Sequence, residues 1–280
     1  MDADPHGEDW LIVGNGAIGM SLAHRLHLNG VAVALCPHGN RPDPVDLIYE
    51  VLGHPPVRWK CPVRVRPDST PVRRIVITTK APAVREVLRV WSPALAEDAR
   101  VIYVQNGTDF VRPGDLPACV TELFVVNGGF TAYRKGPDHV VQSAMEPIWI
   151  GDESGSEGSG SAVVEADLHT LREAGFRVRW TSDIVRLRWE KISINAIVNA
   201  EAVLHDRVNG ELLACDGAAR DVRVMCDELG PLFAAMGVAI TADRLHEATL
   251  ALLEATGGNV CSTLQDYRRG STVHLSLIHI

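Results

Sequence analysis

The feature that most constrains this chain is a glycine motif between a strand and a helix. The apolar residues Leu11, Ile12 and Val13 run directly into Gly14-Asn15-Gly16-Ala17-Ile18-Gly19, and helical spacing follows over 21–28. In this context the first glycine permits a tight turn, the second lets backbone approach a pyrophosphate, and the third lets helix and strand pack closely. The amides at the helix N-terminus attract phosphate. The motif predicts a Rossmann unit that binds a dinucleotide, the alternative being an ordinary glycine-rich β-α turn.

The end of the second predicted strand indicates which dinucleotide is bound. Residues 34–41 read ALCPHGNR, without the Asp or Glu that holds the ribose hydroxyls in NAD enzymes. This absence favours NADPH or NADP⁺. His38 and Arg41 are the candidates for contact with the 2′-phosphate, because Arg offers a cationic fork and a charged His can donate. The alternative for both is a solvated loop.

Hydrophobic patterning divides the chain into two different halves. Up to about residue 151, short apolar runs alternate with amphipathic stretches, as in β-α-β units with a parallel sheet. From Asp183 to Gly257 almost every segment has helical periodicity. We therefore expect an α/β, doubly wound domain over 1–181 and an all-helical domain over 182–280. The predicted strands are Trp10–Val13, Val31–Cys36, Arg74–Thr79 and Arg100–Gln105, with a helix over Ala81–Ala94 and a solvated loop over Asp152–Ser161.

Composition excludes several classes of function. The formal net charge is −8 and no Lys/Arg-rich run occurs, so nucleic acid is not an expected partner. No apolar run reaches the roughly 18 residues of a membrane span, and the first ten residues do not resemble a secretory signal. The six cysteines form no C-x-x-C pair, so neither a metal site nor a disulfide framework is predicted. We expect a soluble, cytoplasmic protein.

One predicted helix carries a row of polar residues. Lys191, Asn195 and Asn199 are spaced four residues apart and share one helix face, while Ile194, Ile197 and Val198 turn elsewhere. Because apolar residues crowd this helix, a half-buried polar row requires partners such as a ligand. The alternative is a solvated polar stripe.

Several short segments, in their order along the chain, resemble the ketopantoate reductase family. They cover most of the chain from Leu11 to Asp266. The resemblance implies the two-domain fold predicted above, with a helical domain like the C-terminal domain of 6-phosphogluconate dehydrogenase. The matching segments are Thr79-Lys80-Ala81, Gln105-Asn106-Gly107, Trp189-Glu190-Lys191 with Asn195 and Asn199, Asn209-Gly210-Glu211-Leu212 and residues 259–266.

The resemblance also implies an activity and roles for individual residues. The family reduces ketopantoate to pantoate with NADPH in pantothenate biosynthesis, and the residue matching Lys191 is its general acid. Asn195 and Asn199 would bind the substrate's hydroxyl or carboxylate, with Ser262 and Asn259 completing the pocket. Asn106 would lie beside the nicotinamide ribose and the substrate. Lys80 would lie near cofactor and substrate, the alternative being a surface lysine.

The C-terminal end departs from the family pattern. The family carries Thr-Glu-Ile-Asp, with a substrate-binding glutamate, where this chain has Gly270-Ser271-Thr272-Val273-His274-Leu275-Ser276, and ungapped counting places His274 at the glutamate's position. Only 14 residues follow Asp266, ending in an apolar tail. A truncated or frame-shifted reading and a divergent relative are both open explanations, and a homodimer that covers the tail is consistent with either.

Three other functions remain alternatives at this stage. The chain could reduce another small 2-oxo acid, or it could be a non-catalytic dinucleotide-binding member of the family. An opine or hydroxyacid dehydrogenase is the third, on fold analogy alone.

Overall fold

A computed structural model describes residues 10–39, 41–108, 110–112, 114–158 and 160–270. These residues form two compact units. Unit 1 contains the described residues of 10–105 and 110–184. Unit 2 contains 106–108 and 185–270.

Unit 1 is an α/β structure with two sheets. Its strands are β1 Trp10–Val13, β2 Val33–Cys36, β3 Val45–Val51, β4 Val57–Cys61, β5 Val72–Ile77, β6 Leu95–Tyr103, β7 Thr121–Asn127, β8 Phe130–Gly136, β9 His139–Met145, β10 Ile148–Gly151 and β11 Val178–Trp180. Its helices are α1 Ala17–Leu28, α2 Val84–Trp91 and α3 Ala162–Glu173, with 3-10 turns at Ala81–Ala83 and Ser92–Ala94 on either side of α2.

The larger sheet has seven strands in the order β11-β10-β7-β6-β5-β1-β2. The five strands from β7 to β2 are parallel, and Ile12 of β1 lies opposite both Leu35 and Val76. These runs of Val, Ile and Leu are buried because helices cover a parallel sheet. The predicted parallel sheet is confirmed.

Two predicted strands end earlier than expected. β5 ends at Ile77 rather than Thr79, and β6 ends at Tyr103 rather than Gln105. The side chains of Thr78 and Gln105 instead hydrogen-bond backbone carbonyls of the neighbouring strand ends. Both residues therefore belong to the loops at the carboxyl edge of the sheet. The predicted loop over Asp152–Ser161 is confirmed between β10 and α3 for its described residues.

The second sheet, in the order β4-β3-β9-β8, was not predicted. It packs on α1, which also contacts β1 and β2, so α1 is covered on two sides. His24 of α1 is 0% exposed, and neither ring nitrogen has a hydrogen-bond partner. Its ring stacks on Tyr49 with centroids 4.3 Å apart and meets the edge of Trp59 at 6.0 Å. An aromatic packing site therefore holds a neutral imidazole.

Unit 2 is helical, as predicted. Its helices are α4 Ile184–His205, α5 Asn209–Leu213, α6 Asp216–Ala235, α7 Ala242–Ala255 and α8 Ser262–Arg268. Asn209-Gly210 begins α5, Asp216-Gly217 begins α6, and Gly237 follows the end of α6 with a positive φ of 69°. Among the helices described, none is both long and apolar enough to cross a membrane.

His24 predicts a component of acid sensitivity. Burial lowers the pKa of His24 from 6.5 to about 4. The imidazole is therefore protonated below pH 6.5 in the unfolded chain but only below about pH 4 in the folded chain. The contribution of His24 to the free energy of unfolding is therefore fully present above pH 6.5 and is lost as the pH falls towards 4. Over that window we expect the wild type to lose about 3 kcal/mol more free energy of unfolding than His24→Phe, measured by urea denaturation.

The exposed His169→Phe is the matched control and should retain the wild-type pH dependence. Parallel pH curves for wild type and His24→Phe would contradict this account of His24.

Candidate functional site

The glycine loop after β1 is held by contacts that leave no room for side chains at two of its glycines. Gly14 has φ +116° and its amide donates to the carbonyl of Cys36 at 2.9 Å. A Cβ on Gly19 would lie 2.0 Å from the Gly14 carbonyl oxygen, and a Cβ on Gly14 would lie 2.7 Å from Thr78 Oγ1. These two glycines allow α1 to start directly against the end of β1.

Thr78 is a residue of this loop that sequence reasoning missed. Its hydroxyl lies 3.0 Å from the Val13 carbonyl oxygen and 3.2 Å from that of Gly14, and can donate to either. Its amide also donates to Val13 at 2.8 Å. Thr78 thus fixes the first glycine from the neighbouring strand end. The only signal in the sequence was its place directly before the Thr79-Lys80-Ala81 segment.

Gly16 differs from the other two glycines of the motif because it faces open space. It is the N-cap of α1, it is exposed, and a Cβ there would meet no atom within 4 Å. The first turn of α1, with Ala17 and Ile18, contains no acidic residue. An accessible helix N-terminus with no side-chain cap and no acidic residue in its first turn fits an anionic pyrophosphate.

Asn15 connects the glycine loop to the loop after β2. Its Oδ1 accepts a hydrogen bond from the backbone amide of His38 at 3.1 Å. The His38 side chain is exposed, whereas Arg41 forms an ion pair with Asp138 in the turn between β8 and β9. Contact of His38 and Arg41 with a 2′-phosphate stays a prediction.

A side-chain hydrogen bond to backbone also joins the loops after β5 and β6. Gln105 Nε2 donates to the carbonyls of Ile77 at 2.7 Å and Thr79 at 3.1 Å. Lys80 follows as the N-cap of a 3-10 turn and is exposed. Hydrogen bonds therefore connect the ends of β6, β5, β1 and β2, which are neighbours in the sheet, along one carboxyl edge. In open α/β sheets this edge binds ligands.

In unit 2, α4 carries the predicted polar row. Lys191, Asn195 and Asn199 are all half-buried, and the intervening Ile197 and Val198 are fully buried in the helical core. Burial lowers the pKa of Lys191 to about 8. The helix thus presents an ammonium group that releases a proton near neutral pH beside two amide groups, a set suited to a polar or anionic ligand.

Arg188 positions the segment that carries Asn106. Arg188 is 6% exposed, and its Nη2 donates to the carbonyls of Gly107 and Thr108, each at 3.4 Å. Because Arg188 lies three residues before Lys191, both side chains lie on neighbouring positions of α4. The exposed Asn106 is therefore held near the start of this helix. Sequence reasoning missed Arg188, since an arginine on a helix gives no signal of its partner.

The start of α5 holds the loop that precedes α8. The Asn209 amide donates to the Asn259 carbonyl at 3.1 Å, and Asn209 Nδ2 donates to Thr256 Oγ1 at 2.7 Å. Asn259 and Ser262, at the two ends of the loop's final segment, have exposed side chains. His274, which the sequence places at the position of the family's glutamate, lies outside the described residues.

Comparison with known proteins identifies the family. The model of the family "Ketopantoate reductase PanE/ApbA" matches residues 10–155, more than half of the chain, and the model of its C-terminal domain matches residues 183–278. This chain belongs to the ketopantoate reductase family. The family match and the structural neighbours confirm the resemblance predicted from the sequence.

Individual relatives are distant. A 2-dehydropantoate 2-reductase of Vibrio cholerae is 22% identical over 91% of this chain and 83% of its own length. A family member from Ralstonia eutropha JMP134 has a solved structure with a TM-score of 0.76, 22% identity and coverage of 96% of this chain and 90% of that one. A D-mandelate dehydrogenase, solved with NADH and anilino(oxo)acetate, also has a TM-score of 0.76, at 18% identity, with coverage of 96% and 89%. At these identities the structures share the fold alone.

Gly19 and Gly16 predict effects of different size for an added methyl group. Gly19→Ala should lower the free energy of unfolding by at least about 2 kcal/mol, because its Cβ would overlap the Gly14 carbonyl oxygen. Gly16→Ala, the matched control, should cost less than about 1 kcal/mol, because its Cβ would enter open space at an N-cap. Chemical denaturation measures both. Equal losses for the two variants would contradict the described loop packing.

Proposed function

We propose that this protein is an NADPH-dependent reductase of 2-oxo acids and that its substrate is ketopantoate. The observation that carries the proposal is the half-buried polar row of α4, where Lys191 has a pKa lowered to about 8 by burial. Membership of the ketopantoate reductase family supports it. The chain covers 83% of the Vibrio cholerae relative, but only 61% of the length of another, from Salmonella typhi.

The glycine loop would hold the cofactor. The backbone of residues Gly14 to Gly19 at the start of α1 suits the pyrophosphate, and the lack of an Asp or Glu in residues 37–41 favours the 2′-phosphate of NADPH. His38 and Arg41 are the candidate partners of that phosphate, which would compete with Asp138 for Arg41. Bound NADPH supplies the hydride for reduction of a ketone.

The residues of unit 2 would bind the substrate and supply a proton. As a ketone is reduced, negative charge develops on its oxygen, and the Lys191 ammonium can stabilise this charge and then donate a proton to the oxygen. A pKa of about 8 makes this ammonium a better acid than an ordinary lysine. Asn195 and Asn199 can donate hydrogen bonds to the substrate's hydroxyl or carboxylate. Further contacts of cofactor or substrate are proposed for the exposed residues Lys80, Asn106, Asn259 and Ser262.

A second candidate is the reduction of a different 2-oxo acid. One observation favours it: on ungapped counting, His274 stands where the family has a substrate-binding glutamate. Both candidates use the same proton donor and the same cofactor. Comparison of kcat/KM for ketopantoate with values for unbranched, branched and aromatic 2-oxo acids separates them, because the first candidate requires ketopantoate to be preferred.

The role of Lys191 is tested by NADPH oxidation with ketopantoate. Lys191→Ala should lower kcat about a thousandfold, the usual contribution of a general acid, and leave the affinity for NADPH unchanged. In the wild type, kcat/KM should fall as the pH rises through about 8, because the acid form is lost above its pKa.

Lys60→Ala, which removes an exposed lysine from β4, is the matched control and should keep wild-type kinetics. Normal turnover by Lys191→Ala, or a loss confined to NADPH affinity, would refute the assigned role.

A further inference from the structure

A second cluster of ionisable side chains lies near the C-terminal end of α4, beyond the polar row. Glu201 and His205 are one helical turn apart, and Asp221 approaches them from α6. One potential ligand atom from each of the three residues lies within 4.8 Å of the other two. The residues come from two helices of the same unit, so the cluster is formed by the packing of unit 2 itself.

One oxygen of the buried carboxylate in this cluster has no hydrogen-bond donor. Glu201 is 1% exposed, and its Oε2 lies 3.2 Å from His205 Nε2, which is the distance of an ion pair but not the geometry of a hydrogen bond. The other ring nitrogen, His205 Nδ1, is 3.7 Å from Cys215 Sγ. In the tautomer with its proton on Nδ1, the imidazole presents a lone pair to the carboxylate. Two acceptors that face each other in a buried place require a proton or a cation between them.

One distance in the cluster suits a bound cation. Zinc–nitrogen and zinc–oxygen bonds of about 2.0 Å place tetrahedral ligands about 3.3 Å apart, which matches the separation of Glu201 Oε2 and His205 Nε2. The contact of Nδ1 with Cys215 orients the imidazole in the way that outer partners orient metal-binding histidines.

We propose that Glu201, His205 and Asp221 bind a divalent transition-metal ion of the zinc type, which links the end of α4 to α6. One imidazole and two carboxylates form a ligand set that such ions accept, and a fourth position remains for water. The ion has no part in the chemistry proposed for Lys191. Its effect is to stabilise unit 2, because it binds the folded arrangement of two helices and not the unfolded chain.

The test is Zn²⁺ binding by the full chain after chelator treatment and dialysis. Isothermal titration calorimetry should give one high-affinity Zn²⁺ per chain, and thermal unfolding should shift upwards in its presence, while Mg²⁺ should have neither effect. His205→Gln, Glu201→Gln and Asp221→Asn should each weaken Zn²⁺ binding at least about tenfold and remove the shift. His246→Gln on α7 and Glu228→Gln on α6 are matched controls that should bind Zn²⁺ as the wild type does.

Asp221→Asn keeps the test valid if a change at the buried Glu201 prevents folding, because Asp221 is only half-buried. Absence of Zn²⁺ binding by the wild type would overturn the proposal and leave an ordinary ion pair between neighbouring turns of a helix. Equal binding by wild type, His205→Gln and Asp221→Asn would also overturn it, because the ion would then be elsewhere. Neither readout depends on NADPH or a 2-oxo acid, so the result is independent of the proposed activity.

Discussion

The close approach of Gly19 to the carbonyl of Gly14 is the constraint on which unit 1 depends. With no Cβ at either position, α1 begins directly at the end of β1, and its free amides point to the carboxyl edge of the sheet. Thr78 closes the same contact from β5. Asn15 and Gln105 extend these hydrogen bonds to β2 and β6, so that four loops form one polar edge. Phosphate binding there would require little reorganisation, since the amides are already in place.

Unit 2 meets a different requirement, because α4 must keep polar side chains half-buried in an apolar helical core. Ile197 and Val198 pack in the helical core. Burial of the polar face lowers the pKa of Lys191. The buried Arg188 donates hydrogen bonds to the carbonyls of Gly107 and Thr108, which follow Asn106. The same helix ends in Glu201 and His205, where one oxygen of a buried carboxylate has no hydrogen-bond donor. A buried oxygen without a donor costs free energy, and a bound cation can offset that cost.

The parallel strands, the helical second half and the glycine loop were predictable because each is local: an apolar run, a helical period or a fixed glycine spacing. The sheet of β4, β3, β9 and β8 was not, because alternating exposed residues such as Arg58 and Lys60 give no strong apolar run. Thr78 and Arg188 act through partners 64 or more residues away, which spacing does not reveal. The pairing of Glu201 with Asp221 likewise depends on how two helices pack.

The central claim is that the carboxyl edge around Gly14 to Gly19 binds a phosphorylated dinucleotide. Calorimetric titration of the purified chain with NADPH and with NADH tests it most directly. We expect saturable binding of both, with NADPH at least about tenfold tighter, because a 2′-phosphate adds charge-assisted hydrogen bonds and residues 37–41 contain no Asp or Glu to oppose it. Equal or tighter binding of NADH would contradict the assignment of the cofactor. Absence of binding by either dinucleotide would contradict the account of the site itself.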